Sequence, residues 1–219
     1  MVKKPKFNLI ILGPAGSGKG TQAELLLKKF GLQFVEAGEL VRRGAKKKTK
    51  FGFYLKKIHK SGKHLPDKII SQLIYEEFKK LKKNIGVIVD GYPRTIGQAK
   101  DLEKIFQEFF PGFLKLAIYI KVSYKEAMRR LLNRAVCQKC KKIFLSREIK
   151  ICSKCGAKIK TRDYDQDKKA IEKRLRWFKE KVIPAIKFYK KKKNLIEING
   201  EQSIPDVFKE ITRYLQHFL

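Results

Sequence analysis

The sequence predicts an α/β protein of three layers, in which helices cover both faces of a five-stranded parallel sheet. Three observations predict it. Short, continuously apolar runs such as FNLIIL (7–12) and IGVIVDG (85–91) recur along the chain, as suits strands buried on both faces. Helical apolar spacing follows each run, and strands alternating with helices build a parallel core. The first run opens directly onto a glycine-rich loop, GPAGSGKGT (13–21).

Each element has its own signal. After the loop, KGTQAELLLKKFG reads as a helix closed by Gly31, since glycine readily takes the left-handed turn that ends a helix. LQFVEA (32–37) is a second strand, and GELVRRGAKKK and FGFYLKKIHKSG are two helical pieces. KIISQLIYEEFKKLKK is a further helix, followed by the strand at 85–91 and the helix TIGQAKDLEKIFQEFF. LKLAIYIKV (114–122) is the fourth strand; SYKEAMRRLLNR is a helix capped by its serine. A long helix over DQDKKAIEKRLRWFKEKVIPAIKFYKKKK should kink or split at Pro184. NLIEING (194–200) is the fifth strand, and SIPDVFKEITRYLQHF closes the chain. Trp177 and Tyr189 read as packing residues, as does Tyr214 at its helix end, and His59, His64 and His217 show no ligand spacing.

The loop carries the first chemistry. Gly13-x4-Gly18-Lys19 has the spacing of a phosphate-binding loop. Glycines at 13, 16, 18 and 20 let backbone N–H groups approach phosphate oxygens, and the following helix adds its positive end. Lys19 supplies a mobile charge for the β and γ phosphates. The usual loop has Ser or Thr after the lysine to ligate Mg²⁺; here that residue is Gly20, and the first hydroxyl is one position late, on Thr21.

Length, 219 residues, suits one well-buried core with small inserted lobes. Net charge is +32, from 42 Lys and 11 Arg against 21 acids. Such a surface attracts polyanions non-specifically, but no RNA- or DNA-binding motif accompanies it, so nucleic acid is expected only as an electrostatic cross-reaction. No run approaches the ~18 apolar residues of a membrane span, and a cytoplasmic protein is expected. Four cysteines form CQKC (137–140) and CSKC (152–155), two knuckles in a Lys-rich insert poor in core residues. Four thiolates at this spacing suit a tetrahedral structural Zn²⁺ with no open position; iron fits the same ligands. The expected metal ligands are Cys137, Cys140, Cys152 and Cys155.

GPAGSGKGTQ together with VDGYPRTIGQA (89–99) resembles the adenylate kinase family of nucleoside monophosphate kinases. The resemblance runs over nearly the whole chain and implies transfer of a phosphoryl group from Mg-ATP to a nucleoside monophosphate. It implies that Mg²⁺ is held chiefly by nucleotide phosphates and water, with Asp90 supporting the water shell, which accounts for Gly20. Tyr92 stands where the family usually has Phe. The donor would be bound by Gly16, Ser17, Gly18, Lys19, Gly20 and Thr21, with Arg134 on the ATP side and Arg130 flanking the adenine. Gly200 matches a turn that meets the ATP adenine, and Gln202 lies beside it. Phosphoryl transfer asks the protein mainly for placement and charge neutralisation, which the planar fork of arginine suits. By resemblance Arg42 and Arg94 would hold the acceptor phosphate, beside Gly91, and Arg162 and Arg174 would bridge the transferring group. The family pattern is stretched by one residue in RDYDQDKKAIEKR (162–174), where Tyr164 occupies an acid position and Asp165 or Asp167 would serve instead. Arg43, Arg147 and Arg213 read as surface ion pairs.

The acceptor base is the open point. EAGELVR (36–42) has Ala37 in place of a threonine that reads adenine, the form seen in UMP/CMP kinases. Gln98 in PRTIGQA is the adenylate kinase form, where its amide pairs with the adenine edge, and the backbone of Lys63, His64 and Leu65 would close over the base. The reading is AMP as acceptor in ATP + AMP ⇌ 2 ADP. Two alternatives stay open: a pyrimidine or broad-range kinase, argued from Ala37, and a nucleic-acid-associated ATPase module, argued from the charge. A single kinase domain is expected: core 1–36, 68–134 and 165–219, a monophosphate-binding lobe at 37–67, and a lid at 135–164. A monomer is expected.

Overall fold

The computed structural model describes residues 6–60, 64–140, 142–161 and 165–218. The main sheet has five parallel strands: β1 (Phe7–Leu12), β2 (Gln33–Glu36), β3 (Val87–Asp90), β4 (Leu114–Lys121) and a last strand, Leu195–Asn199. Their spatial order is β2, β3, β1, β4, then the last strand. The apolar run FNLIIL shows why parallel strands need such residues. Ile10 and Leu12 pack with Phe78, Leu102, Phe106 and Ile186 on one side. Leu9 and Ile11 pack with Ala23, Leu26, Val207 and Ile211 on the other. Every residue of β1 is buried.

Between the first strands lie α1 (Lys19–Phe30), α2 (Ala37–Ala45), α3 (Lys50–Lys60) and α4 (Asp67–Phe78). Gly31 ends α1 with φ 62°, its N–H donating to the Leu27 carbonyl, as predicted. Helices α5 (Ile96–Phe109) and α6 (Tyr124–Leu132) start from Thr95 and Ser123, whose hydroxyls accept the N–H of Gln98 and Glu126. The expected strand over 32–37 is shorter, because Ala37 already begins α2.

The insert after α6 is a small antiparallel sheet of β5 (Ala135–Cys137), β6 (Ile143–Phe144) and β7 (Ile159–Lys160), with β5 in the middle. The long helix of the sequence is α7 (Lys168–Trp177), a π-helical turn at Phe178–Val182, and α8 (Ile183–Lys191). Pro184 sits in the first turn of α8, where its missing N–H is least costly; the wider turn before it makes the split. The closing strand is β8 (Leu195–Asn199) and the closing helix α9 (Ile204–Gln216). Tyr189 is fully buried, but Tyr214 is 40% exposed with Arg213 over its ring, so it is a surface residue and not a packing one. Among the described residues no helix is long and apolar enough to cross a membrane.

The sheet order leaves a crevice at the carboxyl ends of β1 and β3, where chains leave in different directions. Open parallel sheets bind ligands there.

Candidate active site

The site is assembled from strand ends. Ile11 of β1 is level with Asp90 of β3, and Asp90 with Glu36 of β2. The phosphate loop follows β1, with Gly16 at φ 85° and Gly18 at φ 90°. No ordinary L residue holds that left-handed geometry without strain. A Cβ on Gly16 would also stand 3.0 Å from the Ala127 carbonyl of α6, so the loop and α6 are packed backbone to backbone. A Cβ on Gly20 would meet only Asp90 Oδ2, at 3.9 Å. The glycine after the lysine is therefore not imposed by lack of room.

Lys19 Nζ donates to the Pro14 carbonyl at 2.8 Å, within the loop's own curve. Burial lowers its pKa to about 8; Asp90 opposes the shift, while Arg94, Arg134 and Arg174 add to it. These cations thus feel one another across a single cleft. Burial also raises the pKa of Asp90, against the pull of Lys19.

The arginines are held from three elements. Arg94 follows the Asp90–Gly91 strand end and donates from Nε to the Gly91 carbonyl at 2.7 Å. Arg130 on α6 donates to Glu126 at 2.6 Å, and its other end lies 3.5 Å from the Gly16 carbonyl. Arg134, just before β5, donates through Nε to Asp165 Oδ2 at 2.8 Å, and Arg174 on α7 to Asp165 Oδ1 at 2.9 Å. Asp165 is fully buried. Its carbonyl also accepts from Arg147 at 2.8 Å, so Arg147, expected in a surface ion pair, is tied to this junction instead. Arg43 makes its surface pair with Glu77.

On the other side of Arg94 lies the proposed acceptor region. Gln98 is 4% exposed; its Oε1 accepts the Arg94 backbone N–H at 2.8 Å, and its Nε2 donates to Asp67 Oδ1 at 2.7 Å. Ala37 packs behind Gly91, 3.6 Å from where a Cβ there would stand. Arg42 is paired with Glu36 and Glu39, at 2.9 and 3.0 Å. The His64 ring stacks on Trp177 with centroids 3.5 Å apart, and its Nδ1 lies 3.1 Å from Arg94. Burial, with Arg94 and Arg174 nearby, lowers the His64 pKa to about 4. The ring is therefore neutral at physiological pH, so Nδ1 can accept from Arg94.

Trp177 is half-buried and packs against the core, as the sequence suggested, and it also stacks on His64. Asp67, Trp177 and His64's ring were missed because no local motif marks them; only the docking of 64–67 against 94–98 and α7 brings them in. Ser17 is 2% exposed and its Oγ has no partner among the described residues. Gln202 is exposed and bonded to Asn199 and Glu210, near the Gly200 turn. Thr21 lies in the first turn of α1. Lys63 and Arg162 lie outside the described residues.

The four cysteine Sγ atoms lie within 4.8 Å of one another. Cys137 and Cys155 are 3.4 Å apart, Cys140 and Cys152 3.5 Å. A tetrahedral ion with bonds of about 2.3 Å needs sulfur edges of about 3.8 Å, so the set fits. Burial opposes ionisation of Cys137, but the Cys140 N–H and its neighbours bring its pKa down to about 6, which favours the thiolate a metal requires.

Asp165 gives a direct stability test. Its two arginine partners are 10% and 32% exposed, and removing one member of a buried ion pair costs about 3–5 kcal/mol. Asp165→Asn is expected to lower the unfolding free energy read from a urea titration by that order, and an unchanged value would mean the junction contributes nothing.

Residues 11–194 match the family described as Adenylate kinase. The adenylate kinase of Petrotoga mobilis is 34% identical over 217 residues, covering 97% of this chain and 99% of that protein. That of Methanothrix thermoacetophila is 35% identical over 97% of this chain and all of its own. That of Listeria monocytogenes is 33% identical over 97% of this chain and all of its own. With a matching fold and full-length coverage, the chain belongs to the adenylate kinase family, phosphotransferases that act as nucleoside monophosphate kinases.

Proposed function

We propose that this chain moves the terminal phosphoryl group of Mg-bound ATP to AMP, giving two ADP, through the residues gathered at the carboxyl end of its sheet. The observation that carries the reading is the convergence of Lys19, Arg94, Arg134 and Arg174 on one cleft beside Asp90. An oxygen of the acceptor phosphate attacks the γ-phosphorus, and the bond to the β-phosphate oxygen breaks. Charge spreads over the transferring group, and fixed cations stabilise it.

The loop N–H groups of Gly16 to Thr21, with Lys19, hold the donor phosphates, and the unpartnered Ser17 Oγ faces the same loop. Arg94 and Arg42 take the acceptor phosphate; Arg42 leaves Glu36 and Glu39 to do so. Arg134 and Arg174, with Arg162 by resemblance, face the transferring group, and Arg130 flanks the donor adenine with Gln202 near the Gly200 turn. Mg²⁺, used with ATP in this family, would supply charge neutralisation at the phosphates when bound, and Asp90 would support its water shell. The lobe at 37–67 would close over the acceptor and the lid at 135–164 over the donor. Closure excludes water, which would otherwise take the phosphoryl group.

AMP is favoured as acceptor by Gln98, although its amide is engaged with Asp67 and must exchange that partner for adenine. The backbone of Lys63, His64 and Leu65 and the Gly91 turn complete the base pocket. Ala37 removes one hydroxyl, on the order of 0.5–1.5 kcal/mol, enough to relax selectivity without reversing it. ADP formation from Mg-ATP with AMP, CMP, UMP and GMP offered separately tests this. AMP is expected to give the highest kcat/KM, with Ala37→Thr widening its lead by up to about tenfold. Equal or faster turnover of CMP or UMP would make the chain a broader kinase. No transfer to any acceptor would overturn the reading.

Lys19 adds a pH signature. Its free-site pKa of about 8 rises when a phosphate anion arrives, so binding above that pH must take up a proton. ATP affinity is expected to fall as pH rises past about 8. Calorimetry in buffers of different ionisation heat should show proton uptake that Lys19→Arg abolishes. Zero uptake in the unaltered chain would remove Lys19 from the donor site.

The four cysteines are proposed to hold structural zinc. The purified chain is expected to carry about one ion, and a strong chelator should lower its melting temperature and admit protease between 138 and 158. A chelated chain with unchanged melting and protection would show that the lid holds its shape without metal.

A further inference from the structure

Helix α3 lies in a long acid-free, basic stretch that also exposes aromatic rings. From Leu40 to Pro66 the sequence has no acid, while Arg and Lys together number ten. Elsewhere Lys28, Lys79, Lys80, Lys190 and Lys192 are paired with glutamates, while others, such as the exposed Lys104 and Lys125, make no ion pair among the described residues. Among the described residues no ion pair engages Lys46, Lys47, Lys48, Lys50, Lys56 or Lys57, all of which are exposed.

The same helix exposes aromatic rings. Phe51 is 46%, Phe53 63% and Tyr54 37% exposed. Phe51 and Tyr54 lie near-parallel, centroids 6.4 Å apart with 19° between planes. Gly52 and Leu55 are buried, and Leu55 is set against α2 so closely that a Cβ on Gly44 would stand 2.5 Å from it. The face opposite them, followed around the helix at 3.6 residues per turn, reads Phe53, Lys57, Lys50, Tyr54, Phe51. Rings and ammonium groups are interleaved on one outward face.

We propose that this face of α3 binds single-stranded nucleic acid. Such a strand alternates anionic phosphates with flat bases, and binding surfaces for it pair a positive track with rings on which bases stack. A helix that lies in a membrane surface instead gathers its apolar residues in one stripe with lysines at the flanks. Here Lys50 and Lys57 stand between Phe53 and Tyr54, so sinking the rings into lipid would carry the ammonium groups with them. The bulk charge of +32 brings any polyanion near; the rings are what make the contact resist salt. Neither Phe53 nor Tyr54 has a place in the phosphotransfer site.

The test is fluorescence anisotropy of a labelled oligouridylate of about 20 nucleotides with the full chain, from low salt to about 200 mM KCl. Binding is expected to persist at the upper salt. Phe53→Ala/Tyr54→Ala, with unchanged circular dichroism, should weaken it there by about tenfold or more. Lys50→Glu/Lys57→Glu should flatten the dependence on salt. Binding that fades completely by about 200 mM in the unaltered chain, or an alanine variant that binds as well, would overturn the proposal. So would strong partitioning onto phosphatidylglycerol vesicles with no oligouridylate binding, which would assign the face to lipid.

Discussion

Mutual repulsion among cations is the constraint on which the functional half of this molecule rests. Lys19, Arg94, Arg134 and Arg174 are brought to one cleft; burial is the main cause that brings the Lys19 pKa down to about 8, and the three arginines add to it. Without substrate, few carboxylates stand against them. Asp165, fully buried, holds Arg134 and Arg174 at once. Asp90 faces Lys19, and Glu36 holds Arg42. Each carboxylate occupies the end of a strand or a junction between elements, so the charge balance and the fold are the same construction. A phosphate chain entering the cleft, as proposed for the donor nucleotide, would relieve the repulsion.

The scaffold supplies the rigidity this requires. β1 is buried along its whole length between two helical layers, and the loop leaves it directly. The close approach of Gly16 to α6 fixes the loop from the side. The two inserts are lighter constructions. The α2–α3 pair packs at Gly44 and Leu55, and the small sheet β5–β7 surrounds four thiols with a cluster of few apolar residues. In such an insert the metal proposed for the four thiols would replace the core that the sequence lacks.

Charge has two different meanings in this chain. Most lysines are solvated or paired with a glutamate a turn away, a contact worth little by itself. Arginine, scarce by comparison, is concentrated where planar donors meet phosphate or carboxylate. The segment 40–66 differs in that its solvated lysines are interleaved with rings that face water. That contrast within one very basic protein gives α3 its interest.

The sequence by itself determined the sheet, the order of its elements and the phosphate loop. Those depend on local periodicity and on glycines at fixed spacing, and the structure reproduces the strands of the sheet with boundaries moved by a residue or two, while the helix expected over 68–83 ends earlier, at Phe78. It also determined the four-thiol cluster, since two CxxC turns carry their geometry with them. Only the tertiary structure decided that Asp165 joins Arg134 to Arg174, that Arg147 belongs to that junction, and that His64 and Trp177 stack beside Arg94. It alone showed Gln98 bonded to Asp67 across 31 positions of sequence. Such contacts join side chains from distant segments, and no periodicity encodes them. Their partners are chosen by packing, which exists only once the sheet has formed.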